Sequence, residues 1–173
     1  MRPFRRALPI VAAALLAGPL LHACSPPHSA GDPLLEPPAD DPALAEATKK
    51  AVSTLGMFWA KFDTHAAGTS DYNVKLRLIG QDGYVEYIWA EPLRHSTEEV
   101  VARLANDPVH LAGLKFGSEV RAPVGQIADW SYEKEGKLFG HFTTRALVKW
   151  ATPEQRAEYE HLLAPTPLEP IAN

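Results

Sequence analysis

The chain has 173 residues, 46% hydrophobic and 22% charged, with 17 Lys+Arg against 21 Asp+Glu and a net charge of −4. That length suits one globular domain, and the balance excludes collagen-like and strongly basic nucleic-acid-binding classes. The single cysteine, Cys24, excludes an internal disulfide framework.

Residues 1–23 read as an export signal. Arg2, Arg5 and Arg6 precede an apolar run from Ala7 to Leu21. A basic start followed by a short apolar stretch is the pattern of a secretory leader. The run is shorter than the roughly 20 residues a spanning helix needs, and Pro9, Gly18 and Pro19 interrupt it. It ends in Leu21-His22-Ala23-Cys24, which resembles a bacterial lipobox. The resemblance implies cleavage before Cys24 and lipid attachment to its thiol. The rival is ordinary signal-peptidase cleavage after Ala23, a site where the large Leu21 is unfavourable. Acyl chains contribute about 0.8 kcal/mol per buried CH₂, so two or three of them hold a protein firmly on a membrane. Ser25 in place of Asp after the cysteine resembles Gram-negative lipoproteins sent on to the outer membrane, facing the periplasm. Losing the leader lowers the basic count from 17 to 14 and makes the chain more acidic. A nucleic-acid partner is expected even less.

Residues 24–42 hold the cysteine and a stretch with six prolines from Pro26 to Pro42. Such a stretch buries too little to offset its ordering entropy and reads as a tether reaching about 55 Å when extended. A domain over 43–164 follows, then a Pro-rich tail over 165–173.

Asp41-Pro42 opens a helix, with Asp as N-cap and Pro in the first turn. Leu44, Ala47, Ala51, Leu55, Phe58, Trp59 and Phe62 recur at helical spacing and form one apolar face. Residues 63–71 read as a loop. From Tyr72 the period is two: Val74, Leu76 and Leu78 alternate with Lys75 and Arg77, a half-buried strand. Gly80-Gln81-Asp82-Gly83 is a hairpin turn. The return strand runs from Tyr84 to Trp89, with Val85, Tyr87 and Trp89 on one face, and Glu91-Pro92 ends it. Residues 97–105 have helix propensity but sit among hairpins and are assigned as a strand. Asn106-Asp107-Pro108 is a turn, Val109 to Leu114 a short extended piece, and Glu119 to Val124 an edge strand because of Pro123. Two further strands, Ile127 to Tyr132 and Leu138 to Leu147, meet at Glu135-Gly136. Thr152-Pro153-Glu154-Gln155 is a capping box that starts a short last helix. The expected class is therefore α+β: an N-terminal helix, a small, strongly bent antiparallel sheet or partly open barrel of five to six strands, and a short C-terminal helix.

The chemistry is sparse. The seven histidines form no H-x-H or H-E-x-x-H motif, and Glu158 with His161 makes only one E-x-x-H. No metal or cofactor is expected. The carboxylate pairs Glu98/Glu99 and Glu133/Glu135 read as solvated surface. One constellation stands out: Glu86-Tyr87-Ile88-Trp89, Asn106-Asp107-Pro108, Gly117 with Val120, Ile127-Ala128-Asp129-Trp130, Gly140 and Arg145. Its order and spacing resemble the YegJ-like bacterial proteins, domain of unknown function 2314, from about Ala43 to Leu163. That resemblance implies a small α+β domain, often exported in Proteobacteria, and brings no established activity. The segment before Asn106 departs from the family's usual Gly-containing pattern.

Two readings of the constellation follow. In one, Asp129 caps a turn while Trp130 fills the core, with Asn106 and Pro108 doing the same at another turn. In the other, Trp89, Asn106, Pro108, Asp129, Trp130 and Arg145 line a binding surface, an indole beside polar groups being a common anchor. The expected function is a non-enzymatic, lipid-anchored module that binds an envelope protein or polymer. One form of it is an immunity or inhibitor lipoprotein acting against a periplasmic toxin or lysozyme-like enzyme. The alternative of another class is a hydrolase of an envelope substrate with Asp129 as acid–base group.

Overall fold

The computed structural model describes residues 41–170. The expected leader, Cys24 and most of the tether lie outside the described residues. The elements in chain order are α1 (Pro42–Ser53), α2 (Leu55–Thr64), β1 (Thr69–Ile79), β2 (Val85–His95), β3 (Glu99–Leu104), β4 (Glu119–Pro123), β5 (Ile127–Lys134), β6 (Lys137–Gly140), α3 (Phe142–Leu147) and α4 (Pro153–Leu162). The six strands form one open antiparallel sheet in the order β4-β3-β2-β1-β5-β6. The α+β class, the terminal helices and the unclosed antiparallel sheet agree with the sequence reading.

The helices α1 and α2 bury Ala47, Ala51, Leu55, Phe58 and Trp59 against one face of the sheet, where Val74, Leu76, Ile88, Ala90, Leu104, Trp130 and Tyr132 complete the core. Each large apolar side chain so buried contributes about 1.5–3 kcal/mol. The expected single helix is two helices broken at Thr54. The break follows from a contact across the core: Trp130 Nε1 donates to the Ala51 carbonyl at 2.9 Å and to Thr54 Oγ1 at 3.2 Å. Thr54 Oγ1 itself donates back to the carbonyls of Lys50 and Ala51, and local side-chain bonds of this kind compete with the helical ladder.

Three other boundaries move. β1 begins at Thr69, inside the expected loop, and passes a bulge between Ser70 and Asn73 where Asp71 has φ 48°. β2 does not end at Pro92 but runs to His95. Its pairing with β1 stops at Val74↔Ala90, so Pro92 sits where only β3 flanks the strand and its missing N–H breaks no central ladder. The expected extended piece Val109–Leu114 is a series of bends and turns, drawn in by Glu86, whose two carboxylate oxygens accept from the Val109 and His110 amides at 2.8 Å each. The ambiguous segment before Asn106 is indeed a strand, and β4 is an edge strand as expected.

The capping box of α4 forms as expected, with Thr152 and Gln155 exchanging side-chain bonds. Beyond it the Pro-rich segment to Pro170 lies against the domain. Leu163 bridges Leu138 in parallel, the Gly140 amide donates to the Pro167 carbonyl at 2.8 Å, and Leu168 packs on the core. Glu169 is gripped by Lys61 at 2.8 Å, Lys134 at 2.5 Å and the Tyr132 hydroxyl at 2.7 Å. Lys134 first, then Lys61, holds its carboxyl at about 2, below the ordinary 4.5. A depressed carboxyl contributes stability that is full above its unfolded value and lost as pH falls toward the folded one. Glu169→Gln is therefore expected to cost about 1–2 kcal/mol at neutral pH after solvent screening. The gap from wild type should close between about pH 4.5 and 2, measured by urea unfolding across that range.

Candidate functional site

The face of the sheet turned away from α1 and α2 is set by the β1–β2 register. Ile79↔Val85, Arg77↔Tyr87 and Lys75↔Trp89 are successive cross-strand pairs. Directly opposed residues point to the same side, and the intervening Leu76, Ile88 and Ala90 are in the core. At the hairpin end the face is open: Ile79 is 57%, Val85 39% and Tyr87 55% exposed. Toward the middle it closes. Trp89 is half-buried and its ring lies 4.7 Å from Lys75 Nζ, a cation–π contact, and 4.7 Å from the His141 ring.

Under Trp89 lies a buried polar chain. Lys75, only 8% exposed, donates to Thr143 Oγ1 at 3.1 Å. That hydroxyl donates to Asp129 Oδ2 at 2.6 Å. Asp129 also accepts from the amides of Trp130 (2.8 Å), Phe142 (3.2 Å) and Thr143 (2.7 Å). It is 0% exposed. Burial pushes its carboxyl above the ordinary range, against the opposing pull of Thr143 and the Lys75 charge. Two of the bonds satisfy the first amides of α3, groups with no intrahelical partner. Asp129 thus acts as a cap supplied from 13 and 14 residues upstream. This is why the expected strand Leu138–Leu147 stops at Gly140 and continues as a helix. Gly140 and His141 turn the chain with φ of 74° and 51°, and α3 takes the place beside β5 that a longer β6 would fill.

The constellation expected to line a surface is divided by the fold. Trp130, 1% exposed, points into the core, where it stacks with Tyr132 and meets Phe58 and Phe142. Asp129 is on the other side of β5, joined to Trp89 through Thr143 and Lys75. Arg145 donates to the carbonyls of Gly140 (2.9 Å), Ala164 (2.8 Å) and Leu138 (3.2 Å), stitching α3 to β6 and the C-terminal segment. Burial lowers its guanidinium, while the Asp129 charge works in the opposite direction. Asn106 and Pro108 are half-buried in the β3–β4 connection. The cap there is Asp107, which accepts from the Phe116 amide at 2.7 Å. The reading of Asp129 as cap and Trp130 as core is thus the one the geometry matches.

Sequence reasoning missed Lys75, Arg77, Thr143 and His141. Lys75 and Arg77 read as the solvated half of an alternating strand, and nothing local marks a lysine that an indole on the neighbouring strand will cover. Tyr87 reads on one face with Val85 and Trp89 but is not among the candidate binding residues; that shared face is the signal that points to it. A cleft of about 370 Å³ lies elsewhere, lined by Leu55, Gly56, Trp59, His95, Thr97 and Val124, with the His95 ring stacked on Trp59 at 4.0 Å. Among the described residues no three His, Cys, Asp or Glu side chains gather as metal ligands would.

No solved structure matches the chain. Among curated proteins it is similar to a Neisseria meningitidis serogroup B protein provisionally named as an ankyrin repeat protein, 27% identical over 129 residues that make up 70% of this chain and 51% of that one. The chain thus spans about half of the Neisseria protein. It is also similar to the uncharacterized protein YegJ of Escherichia coli K12, 25% identical over 119 residues, 69% of this chain and 76% of that one. The family profile described as "Uncharacterized protein conserved in bacteria (DUF2314)" matches residues 41–164, from the cap of α1 to just past α4. With the fold closed by Asp129, Trp130, Gly140 and Arg145, the residues that carried the resemblance, the chain belongs to the DUF2314 family of bacterial proteins.

Proposed function

We propose that this chain is a non-enzymatic binding module of the bacterial cell envelope, tethered through a lipid on Cys24. In this reading it faces the periplasm from the outer membrane and holds a partner on the outer face of the β1–β2 hairpin. The observation that carries the reading is the open end of that face, where Ile79, Val85 and Tyr87 stand exposed in adjacent pairs beside Arg77. Contiguous exposed apolar side chains on a soluble domain mark interaction sites. Aromatic side chains with arginine are the typical energetic anchors of such sites. The lipobox-like Leu21-His22-Ala23-Cys24 supplies the tether.

The hydrolase alternative finds less support. A carboxyl that exchanges protons with substrate must be reachable, whereas Asp129 is fully enclosed and already accepts four hydrogen bonds.

Site-specific photo-crosslinking in the native bacterium tests the binding reading. A photoreactive residue at position 87 is expected to give discrete adducts, and one at Met57, exposed on α2, none. No adduct from position 87, or the same adducts from both, would overturn it. In the same cells Cys24→Ser is expected to move the protein from the outer-membrane fraction to the soluble one. Unchanged fractionation would remove the lipid tether.

A further inference from the structure

The β1–β2 face carries a charge with nothing set against it. Arg94, Arg103 and Arg121 are paired with Glu119, Glu91 and Glu99. Arg145 and Arg156 bond backbone carbonyls. Among the described residues Arg77 is the one arginine whose side chain makes neither a hydrogen bond nor an ion pair. It is half-buried and sits in the middle of the patch, opposite Tyr87, with the Ile79/Val85 pair on one side and Lys75/Trp89 on the other. The neighbouring carboxylates are engaged elsewhere: Glu86 holds the Val109 and His110 amides, Glu91 holds Arg103, and Asp82 accepts from Tyr84 and His110.

A partner that covers Ile79, Val85 and Tyr87 also removes water from Arg77. Desolvating a guanidinium without a counter-charge is strongly unfavourable, so a partner that binds here must bring an acceptor. A carboxylate matches the guanidinium fork in bidentate fashion. From the binding role proposed above, we infer that the occupant of this face is a protein segment that presents a carboxylate between two large apolar side chains. The spacing follows from strand geometry. Successive pairs on the face are two residues apart, about 6.6–6.8 Å, and an extended segment with apolar, acidic and apolar residues at alternate positions has the same repeat. On the open end of the face Tyr87 alone offers a sugar ring a stacking surface and a hydroxyl, while Ile79 and Val85 are branched aliphatics that give it neither. One unpaired arginine on a chain of net charge −4 is poor recognition for a phosphate backbone.

The test pans the full chain, held in detergent, against a displayed library of random peptides, then titrates synthetic versions of the enriched sequences. Enrichment of peptides with Asp or Glu flanked by large apolar residues two positions away is expected. Arg77→Glu should weaken their binding at least tenfold and Arg77→Lys less. Thermal unfolding of both variants should match wild type, because Arg77 holds nothing within the described fold. Peptides that lack an acid yet lose binding on Tyr87→Ala would overturn the carboxylate inference and leave the binding face standing. No enrichment, or binding indifferent to both Arg77→Glu and Tyr87→Ala, would overturn both.

Discussion

Asp129→Ala is expected to destabilise the domain by about 3–5 kcal/mol, measured by urea unfolding at neutral pH. The substitution removes the acceptor of four hydrogen bonds at once. It leaves the Phe142 and Thr143 amides buried without a partner and takes away a carboxylate that interacts with the charge of Lys75, which is 8% exposed. Breaking a buried, hydrogen-bonded charge arrangement by removing one member costs about 3–5 kcal/mol, because the remaining groups stay desolvated and unsatisfied. Domains of this size are stable by only about 5–15 kcal/mol. Asp129→Asn keeps the shape and one carbonyl oxygen but turns an NH₂ toward the donors, and is expected to fall between alanine and wild type. A loss below about 1 kcal/mol in Asp129→Ala would show that α3 does not depend on this cap. It would also return Asp129 to the list of residues free for chemistry.

Gly140→Ala is expected to cost about 2–4 kcal/mol, for a different reason. A Cβ at this position would lie 2.2 Å from the Trp130 carbonyl oxygen and 2.6 and 2.8 Å from two carbons of its ring. None of these can yield cheaply: the oxygen is backbone and accepts from the His141 amide at 3.0 Å, and the ring is wedged in the core. Overpacking of this kind costs about 1–3 kcal/mol or more, and the positive φ of 74° adds about 1 kcal/mol for a residue with a side chain. Gly136→Ala is the matched control. Its φ is 71°, but a Cβ there meets nothing within 4 Å, so only the backbone penalty of about 1 kcal/mol is expected. Thermal unfolding of the two variants side by side separates the clash from the conformational strain. Equal losses would mean that the approach to Trp130 is not a constraint.

Both predictions concern residues, Asp129 and Gly140, that stood out in the sequence for their order and spacing, and the structure places both in the interior. That outcome was half legible. The alternation through β1, the Asp-Gly turn at 82–83, the capping box at Thr152 and the Asp41-Pro42 start are local signals, and each produced its element. Asp41 illustrates why: its Oδ1 caps the Ala43 amide at 2.8 Å, a contact two residues long. Lys149, then the Ala43 amide, holds its carboxyl below the ordinary range, and that part of its environment comes from the far end of the chain.

The misplaced boundaries share a physical cause. The break at Thr54 depends on an indole 79 residues from the Ala51 carbonyl it bonds. The switch from β6 to α3 depends on a carboxylate on the neighbouring strand. Pro92 stays within β2 because β1 has already turned away. In each case local preference was close to neutral and a contact distant in sequence decided. The same holds for the surface. Alternation assigned Lys75 and Arg77 alike to solvent, but Lys75 is closed over by Trp89 and bonded to Thr143, while Arg77, two residues on, is left with no partner within the described fold.

By itself the sequence determined the α+β class, the family, and the periodicity of the N-terminal helical segment and the first hairpin. Those features rest on short-range spacing, capping and composition, which one segment carries alone. Only the tertiary structure decided that Asp129 is a cap and Trp130 a core residue, and that the hairpin's outer face is open around Arg77. Burial and the pairing of charges are properties of surfaces brought together from distant segments, and no local stretch of the chain contains them.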